Sequence, residues 1–172
     1  MNYPQIHQSA RQLRLSGLLQ SLEVRLQEAV ANNLSHAEFL ELLFTDELAV
    51  RAQRALERRK KKATFRDLRT LEDFDFSFNT SIKRSQIFEL ATCRFVTEGS
   101  DVLFIGPPGV GKSHLAQALG YQAVKNGHTV LYSSVFDMVR DLLEEEEIPG
   151  ARSQLSKYLR CDLLIIDDMG IK

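Results

Sequence analysis

Apolar positions recur at three- and four-residue spacings through the first third of the chain, and then the pattern changes. Leu15, Leu18, Leu19, Leu22 and Leu26 fall on one helical face, with Gly17 interrupting the run. Ser9-Ala10-Arg11-Gln12 upstream has the form of a capping box, and the form recurs as Ser35-His36-Ala37-Glu38 once Asn32-Asn33 has broken the period. The second box predicts a new helix. Its apolar positions Phe39, Leu42, Leu43, Leu48, Ala49, Ala52 and Leu56 keep helical spacing up to a basic run, with no Gly or Pro from 36 to 63. Residues 64–80 alternate aromatic and polar side chains, as in Phe74-Asp75-Phe76-Ser77-Phe78, and read as an extended linker. A further helix is predicted over 81–97, with Ile82, Ile87, Leu90, Ala91 and Phe95 mostly on one side and Gly99 as its C-cap.

From residue 101 strands and helices alternate. Asp101–Ile105 is a short apolar strand, 112–125 a helix stopped by Asn126-Gly127, 129–132 a second strand and 136–146 a second helix. Pro149-Gly150 punctuates, 154–159 forms a short helix, and Leu163–Ile166 is a continuous apolar run of the kind a parallel strand buried on both faces requires. Such alternation predicts a parallel sheet with right-handed crossovers. The fold class is therefore α/β, with a helical unit over 1–66 and a parallel-sheet domain over 67–172.

Composition narrows the class of protein. At 172 residues and 44% hydrophobic, the chain suits a folded domain and not a disordered one. Cys93 and Cys161 stand far apart without CxxC spacing, which supports neither a disulfide framework nor a zinc ribbon. No apolar run nears the roughly 18 residues of a membrane span, and the N-terminus lacks the basic and apolar regions of a signal peptide. No membrane partner and a cytoplasmic location are expected.

The net charge of -1 conceals an asymmetry. Residues 1–70 carry 12 Lys and Arg against 8 Asp and Glu, while residues 71–172 carry 10 against 15. Nine of the basic residues (Arg51, Arg54, Arg58, Arg59, Lys60, Lys61, Lys62, Arg66 and Arg69) cluster with two acids, Glu57 and Asp67. Such density is the footprint of a polyanion contact, duplex DNA in particular; the alternative is a solvated helix face.

The chemistry centres on Gly106-Pro107-Pro108-Gly109-Val110-Gly111-Lys112-Ser113, which matches G-x-x-x-x-G-K-[ST] between a predicted strand and a predicted helix, with His114 following. Glycines let backbone amides turn toward phosphate oxygens, and the helix N-terminus adds partial positive charge. Lys112 is expected to reach the β- and γ-phosphates of ATP, and Ser113 to hold Mg²⁺. The run Leu163-Leu164-Ile165-Ile166 ends in Asp167-Asp168, an apolar strand delivering two carboxylates as a Walker B element does. Asp167 is the expected second Mg²⁺ holder, and Asp168 the acid that polarises the attacking water. The competing reading is two aspartates at an ordinary strand end. Phe74, Phe76 and Phe78 either border an adenine base or cover a core edge. His7, His36, His114 and His128 lack metal-ligand spacing, and Glu144–Glu147 reads as a solvated helix end.

Taken together, Leu71-Glu72-Asp73-Phe74-Asp75-Phe76, Gln86-Ile87-Phe88-Glu89-Leu90-Ala91, the P-loop with His114-Leu115-Ala116, and Leu164-Ile165-Ile166-Asp167-Asp168-Met169-Gly170 resemble the IstB-type helper ATPases of insertion-sequence transposition. More distantly the chain is similar to DnaC-type helicase loaders, which are AAA+ proteins. The resemblance implies an ATPase that assembles on duplex DNA as a homo-oligomer and directs a transposase to its target, with the helical front contacting DNA. Asp168 stands where AAA+ proteins usually carry Glu, a shorter reach. The chain ends at Lys172, before the sensor strand, arginine finger and further strand of an AAA+ module, so its P-loop domain reads as incomplete. A product unstable on its own, or without turnover, is the corresponding expectation. Two alternatives remain open at this point: a helicase loader, and a non-catalytic remnant that binds DNA or a full-length copy.

Overall fold

A computed structural model describes residues 3–147 and 155–168, and the chain divides into two units, Met1–Glu57 and Arg58–Lys172. The predicted Pro149-Gly150 turn, Gln154 and Met169-Gly170 lie outside the described residues.

The first unit is helical. Helix α1 spans Pro4–Gln12, α2 spans Ser16–Ala31 and α3 begins at His36 and runs to Lys62. The box expected at Ser9–Gln12 does not form, because α1 already starts on Pro4 and Ser9 sits inside it. Proline's preset φ and missing donor suit a first turn, which moves the start upstream. The box at Ser35 does form: the Ser35 N–H donates to Glu38 Oε2 (2.7 Å) and the Glu38 N–H to Ser35 Oγ (3.3 Å). Ala10, Leu18, Leu22 and Leu43 make the core, flanked by Leu15, Leu19, Leu26 and Phe39.

Gly17 is required by a close approach and not by flexibility. A Cβ there would stand 2.8 Å from the Glu47 Cα and 2.9 Å from the Asp46 carbonyl oxygen. This proximity lets Glu47, only 4% exposed, cap α2 from the neighbouring helix. Its Oε2 accepts from the N–H groups of Gly17 (2.6 Å) and Leu18 (3.1 Å), amides that no side chain of α2 caps. Arg51 donates to the other carboxylate oxygen at 2.6 Å. Burial alone would push the Glu47 pKa up; the guanidinium and the two amides more than offset it and hold the group below its ordinary value. Alongside, Arg25 grips Asp46 through two 2.8 Å bonds.

The second unit begins in the last turns of α3, so residues 58–66 belong with the sheet, upstream of the 66/67 boundary that composition suggested. Strands β1 (Val130–Ser134) and β2 (Leu163–Asp167) pair in parallel, with Val130 opposite Leu163 and Ser134 opposite Asp167. The outer edge of β1 is occupied by the turn after α3: the Tyr132 N–H donates to the Ala63 carbonyl and the Thr64 hydroxyl donates to the Tyr132 carbonyl, both at 2.8 Å. Helix α6 (Lys112–Lys125) packs on both strands, with the Ile165 side chain against Gly120, and it buries Leu115, Ala118, Leu119, Ala123 and Val124. Helix α7 (Val135–Glu147) and the short α8 (Leu155–Leu159) carry the chain from β1 to β2.

Three expectations are corrected. The helix predicted over 81–97 is two, α4 (Arg84–Ala91) and α5 (Arg94–Glu98), because Cys93 adopts φ 59° and ends the first. The stretch 64–80 is not extended but folds through short turns, such as the Ser77 N–H donating to Asp75 Oδ1 at 2.8 Å. Residues 101–105 form no strand, since a strand needs a ladder partner and none of the described residues supplies one. Phe104 turns inward onto the cluster of Ile87, Leu115 and Leu119, while Leu103 and Ile105 are 74% and 87% exposed. For the same reason the Leu163–Ile166 run is only partly buried.

Replacing Gly17 with Ala would push its methyl into the α3 backbone. We expect a loss of about 1–3 kcal/mol in unfolding free energy, measured by chemical denaturation of the full chain, against less than about 0.5 kcal/mol for exposed Ala31→Ser in the same helix.

Candidate functional site

The loop from Gly106 to Gly111 enters α6 with Gly109 at φ 81° and Gly111 at φ 94°. Gly111 has a second constraint: a Cβ there would lie 2.6 Å from the Phe74 ring. No side chain caps the first turn of α6 and no acid lies in it, which leaves its orphan amides available to an anion. Lys112 Nζ donates to the carbonyls of Gly106 (2.9 Å) and Pro107 (2.8 Å), folding the ammonium over its own loop.

At the second position of the helix, Ser113 Oγ donates to Asp167 Oδ1 at 3.0 Å. The P-loop hydroxyl and the strand-end carboxylate, 54 residues apart in sequence, therefore meet. The Tyr132 hydroxyl donates to the other Asp167 oxygen at 2.5 Å, and the Asp168 N–H to Oδ1 at 2.9 Å. Burial pushes Asp167 up, but Tyr132, the Asp168 amide and Ser113, with Arg66 at longer range, hold it below its ordinary pKa and so ionised. Tyr132 moves the opposite way, raised by burial and then by the adjacent carboxylate, so it stays a donor. Two oxygen donors from Ser113 and Asp167 suit a hard divalent cation such as Mg²⁺, which takes few protein ligands and completes its shell with water and phosphate.

Asp168 does not point into this pair. Its backbone has φ 56°, and its carboxylate meets Arg66 Nη2 at 2.7 Å. His114 is tied elsewhere: Nε2 lies 3.0 Å from the Thr70 carbonyl oxygen, and the ring packs edge-on against Phe74 at 5.2 Å. The buried Gln117 accepts from the Asp67 N–H at 3.2 Å, a second tie between this segment and α6. Phe74 and Phe76 pack against the core cluster, whereas Phe78 is largely exposed and lines a cleft of about 820 Å³. Gly106, Pro107, Val110 and Lys112 of the loop line that cleft together with the apolar Ile82, Ile87, Leu90 and Phe104.

The nine basic residues do not share one environment. Arg51 is paired with Glu47, Arg54 bonds the Ser16 hydroxyl, Arg69 meets Asp67 at 3.2 Å and Arg66 holds Asp168. Arg58, Lys61 and Lys62 are exposed on the last turns of α3, with Arg59 and Lys60 half-buried among them. Two contributors to the cluster around Asp167 escape a reading of the sequence. Tyr132 looks like an ordinary core aromatic until the strand register sets it two residues from the partner of Asp167. Arg66 looks like one more cation of the basic run.

Residues 8–172 match the family described as IstB-like ATP binding protein. An ATP-binding protein in an insertion sequence of Mycobacterium tuberculosis is 35% identical over 169 residues, covering 98% of this chain and 67% of that protein. The ATP-binding protein of insertion sequence IS21 from Pseudomonas aeruginosa is 37% identical over 158 residues, 92% of this chain and 60% of the relative. The corresponding IS232 protein of Bacillus thuringiensis is 31% identical over 169 residues. The chain thus spans about two thirds of the length of the relatives it matches.

Tyr132→Phe removes the hydroxyl from Asp167 while keeping the ring against Phe65. A hydrogen bond to a charged acceptor contributes about 1.5–3 kcal/mol, so we expect Mg²⁺-dependent ATP affinity to fall roughly tenfold with Mg²⁺-free affinity little changed. Titration of a fluorescent ATP analogue with and without Mg²⁺ checks it.

Proposed function

This chain belongs to the family of IstB-like ATP-binding proteins, and from that premise we propose that it is an ATP-hydrolysing helper of DNA transposition. The observation that carries the proposal is the 3.0 Å bond between Ser113 and Asp167, made beside an uncapped helix N-terminus. That juxtaposition suits the phosphate end of a nucleotide. Backbone amides of Gly109–Ser113 bind phosphate oxygens, and Lys112 exchanges its loop carbonyls for them. Ser113 and Asp167 are the residues that would hold Mg²⁺, which would supply neutralisation of phosphate charge when bound. Asp168 polarises the attacking water once its carboxylate is free of Arg66. The apolar cleft wall of Ile82, Ile87 and Leu90 suits the base.

In this reading the basic end of α3 contacts duplex DNA, and the protein acts as an oligomer in the cytoplasm, bringing a transposase to its target. The charge excess at Arg58–Lys62 supports the DNA contact, and the insertion-sequence context of the relatives supports the transposase. Among the described residues no helix is long and apolar enough to cross a membrane.

Two measurements on the purified full chain test this. ATP binding and phosphate release, stimulated by duplex DNA, are expected for the wild type and absent in Lys112→Ala. Turnover that the substitution leaves intact would come from a contaminant and sink the hydrolytic reading. Changing Lys60, Lys61 and Lys62 together to Glu is expected to weaken duplex binding by about tenfold or more at moderate salt and to flatten its salt dependence. Unaltered affinity would remove this run from the DNA interface.

A further inference from the structure

Arg66 occupies a place that neither the P-loop nor the basic run explains. Its backbone is fixed from both sides. Three residues earlier the Ala63 carbonyl accepts from Tyr132 on β1, and one residue later the Asp67 N–H donates to Gln117 on α6. The guanidinium thus reaches Asp168 from an anchored position, at 2.7 Å. Asp168 is constrained too, with φ 56° in the left-handed region and its N–H spent on Asp167. The pair joins a cation of the basic run to the acid just past the end of β2.

We infer that Arg66 is a positioning residue for Asp168, exchanged between that carboxylate and a backbone phosphate of bound duplex DNA. While the guanidinium holds Asp168, a carboxylate oxygen is occupied and turned away from any water that it would polarise. The two side chains are 54% and 44% exposed, so the pair is of the weak, exchangeable kind. A phosphate presented to Arg58, Lys61 and Lys62 competes for the same guanidinium, for which planar bidentate contact is well suited. One cation cannot serve both anions fully, so duplex contact frees Asp168. By linkage, loss of Asp168 must strengthen duplex contact by the same factor.

This inference rests on the proposed roles of Asp168 and the basic run, and reciprocity supplies a test independent of turnover. Duplex affinity is measured for the full chain as wild type, Arg66→Ala, Asp168→Asn and the double variant, using a fluorescent duplex at fixed moderate salt. Asp168→Asn is expected to raise affinity about two- to fivefold in the wild-type background, the factor an exposed ion pair supports. In the Arg66→Ala background it should change affinity little. An equal gain in both backgrounds would be a general charge effect and overturns the inference, as does no gain in either. Turnover gives the second readout: Arg66→Ala should hydrolyse ATP faster without DNA and respond less to it, with Arg66→Lys in between. Slower hydrolysis by Arg66→Ala would make the guanidinium a requirement of the chemistry and overturn the exchange. A coupled cycle in a chain without turnover refutes the ATPase reading alone; an additive cycle in a chain that turns over refutes this inference alone.

Discussion

The Asp167 carboxylate is the group on which the meeting of α6, β1 and β2 depends. It takes hydrogen bonds from α6 through Ser113, from β1 through Tyr132 and from its own strand end through the Asp168 amide. A partly buried anion is costly unless each lone pair finds a donor, and here three elements are held at one spacing to supply them. The same requirement decides which elements can move separately. Shifting β1 along β2 by a single residue would carry Tyr132 to the other face and leave Asp167 short of a donor.

The first unit rests on a comparable device. Glu47 on α3 takes the place of the N-cap residue that α2 lacks, and Gly17 is the position where the two backbones come close enough for it. A hydroxyl or carboxylate on α2 itself would have satisfied those amides locally. Using a residue 30 positions away instead makes helix formation and helix packing one event, because the cap exists only when α3 is in place.

Legibility followed how local the cause was. The P-loop, the bounds of α6 and the Ser35 capping box depend on residues within a turn or two of one another, and they stand where periodicity and motif put them. The start of α1 was misread because a serine box competed with a proline four residues in from the N-terminus, and the proline prevailed. Residues 101–105 have strand composition but no neighbour to pair with, a circumstance that no local pattern records. Tyr132 and Arg66 were missed as contributors to the site for a related reason. Their roles come from strand register and from the path of the turn after α3, both of which are tertiary facts. Gly17 likewise reads as a flaw in a helix until its neighbour is known.

Lys112 bears on how fast a phosphate could be taken up. Its ammonium already neutralises the two carbonyls that would otherwise repel an incoming anion, and in doing so it braces the loop. Capture then needs a side-chain swing on the nanosecond scale, not a rebuilding of the backbone. The entry rate should accordingly be set by diffusion and the long-range field. Selectivity is left to the departure step, when the lysine either stays with the phosphate or returns to Gly106 and Pro107.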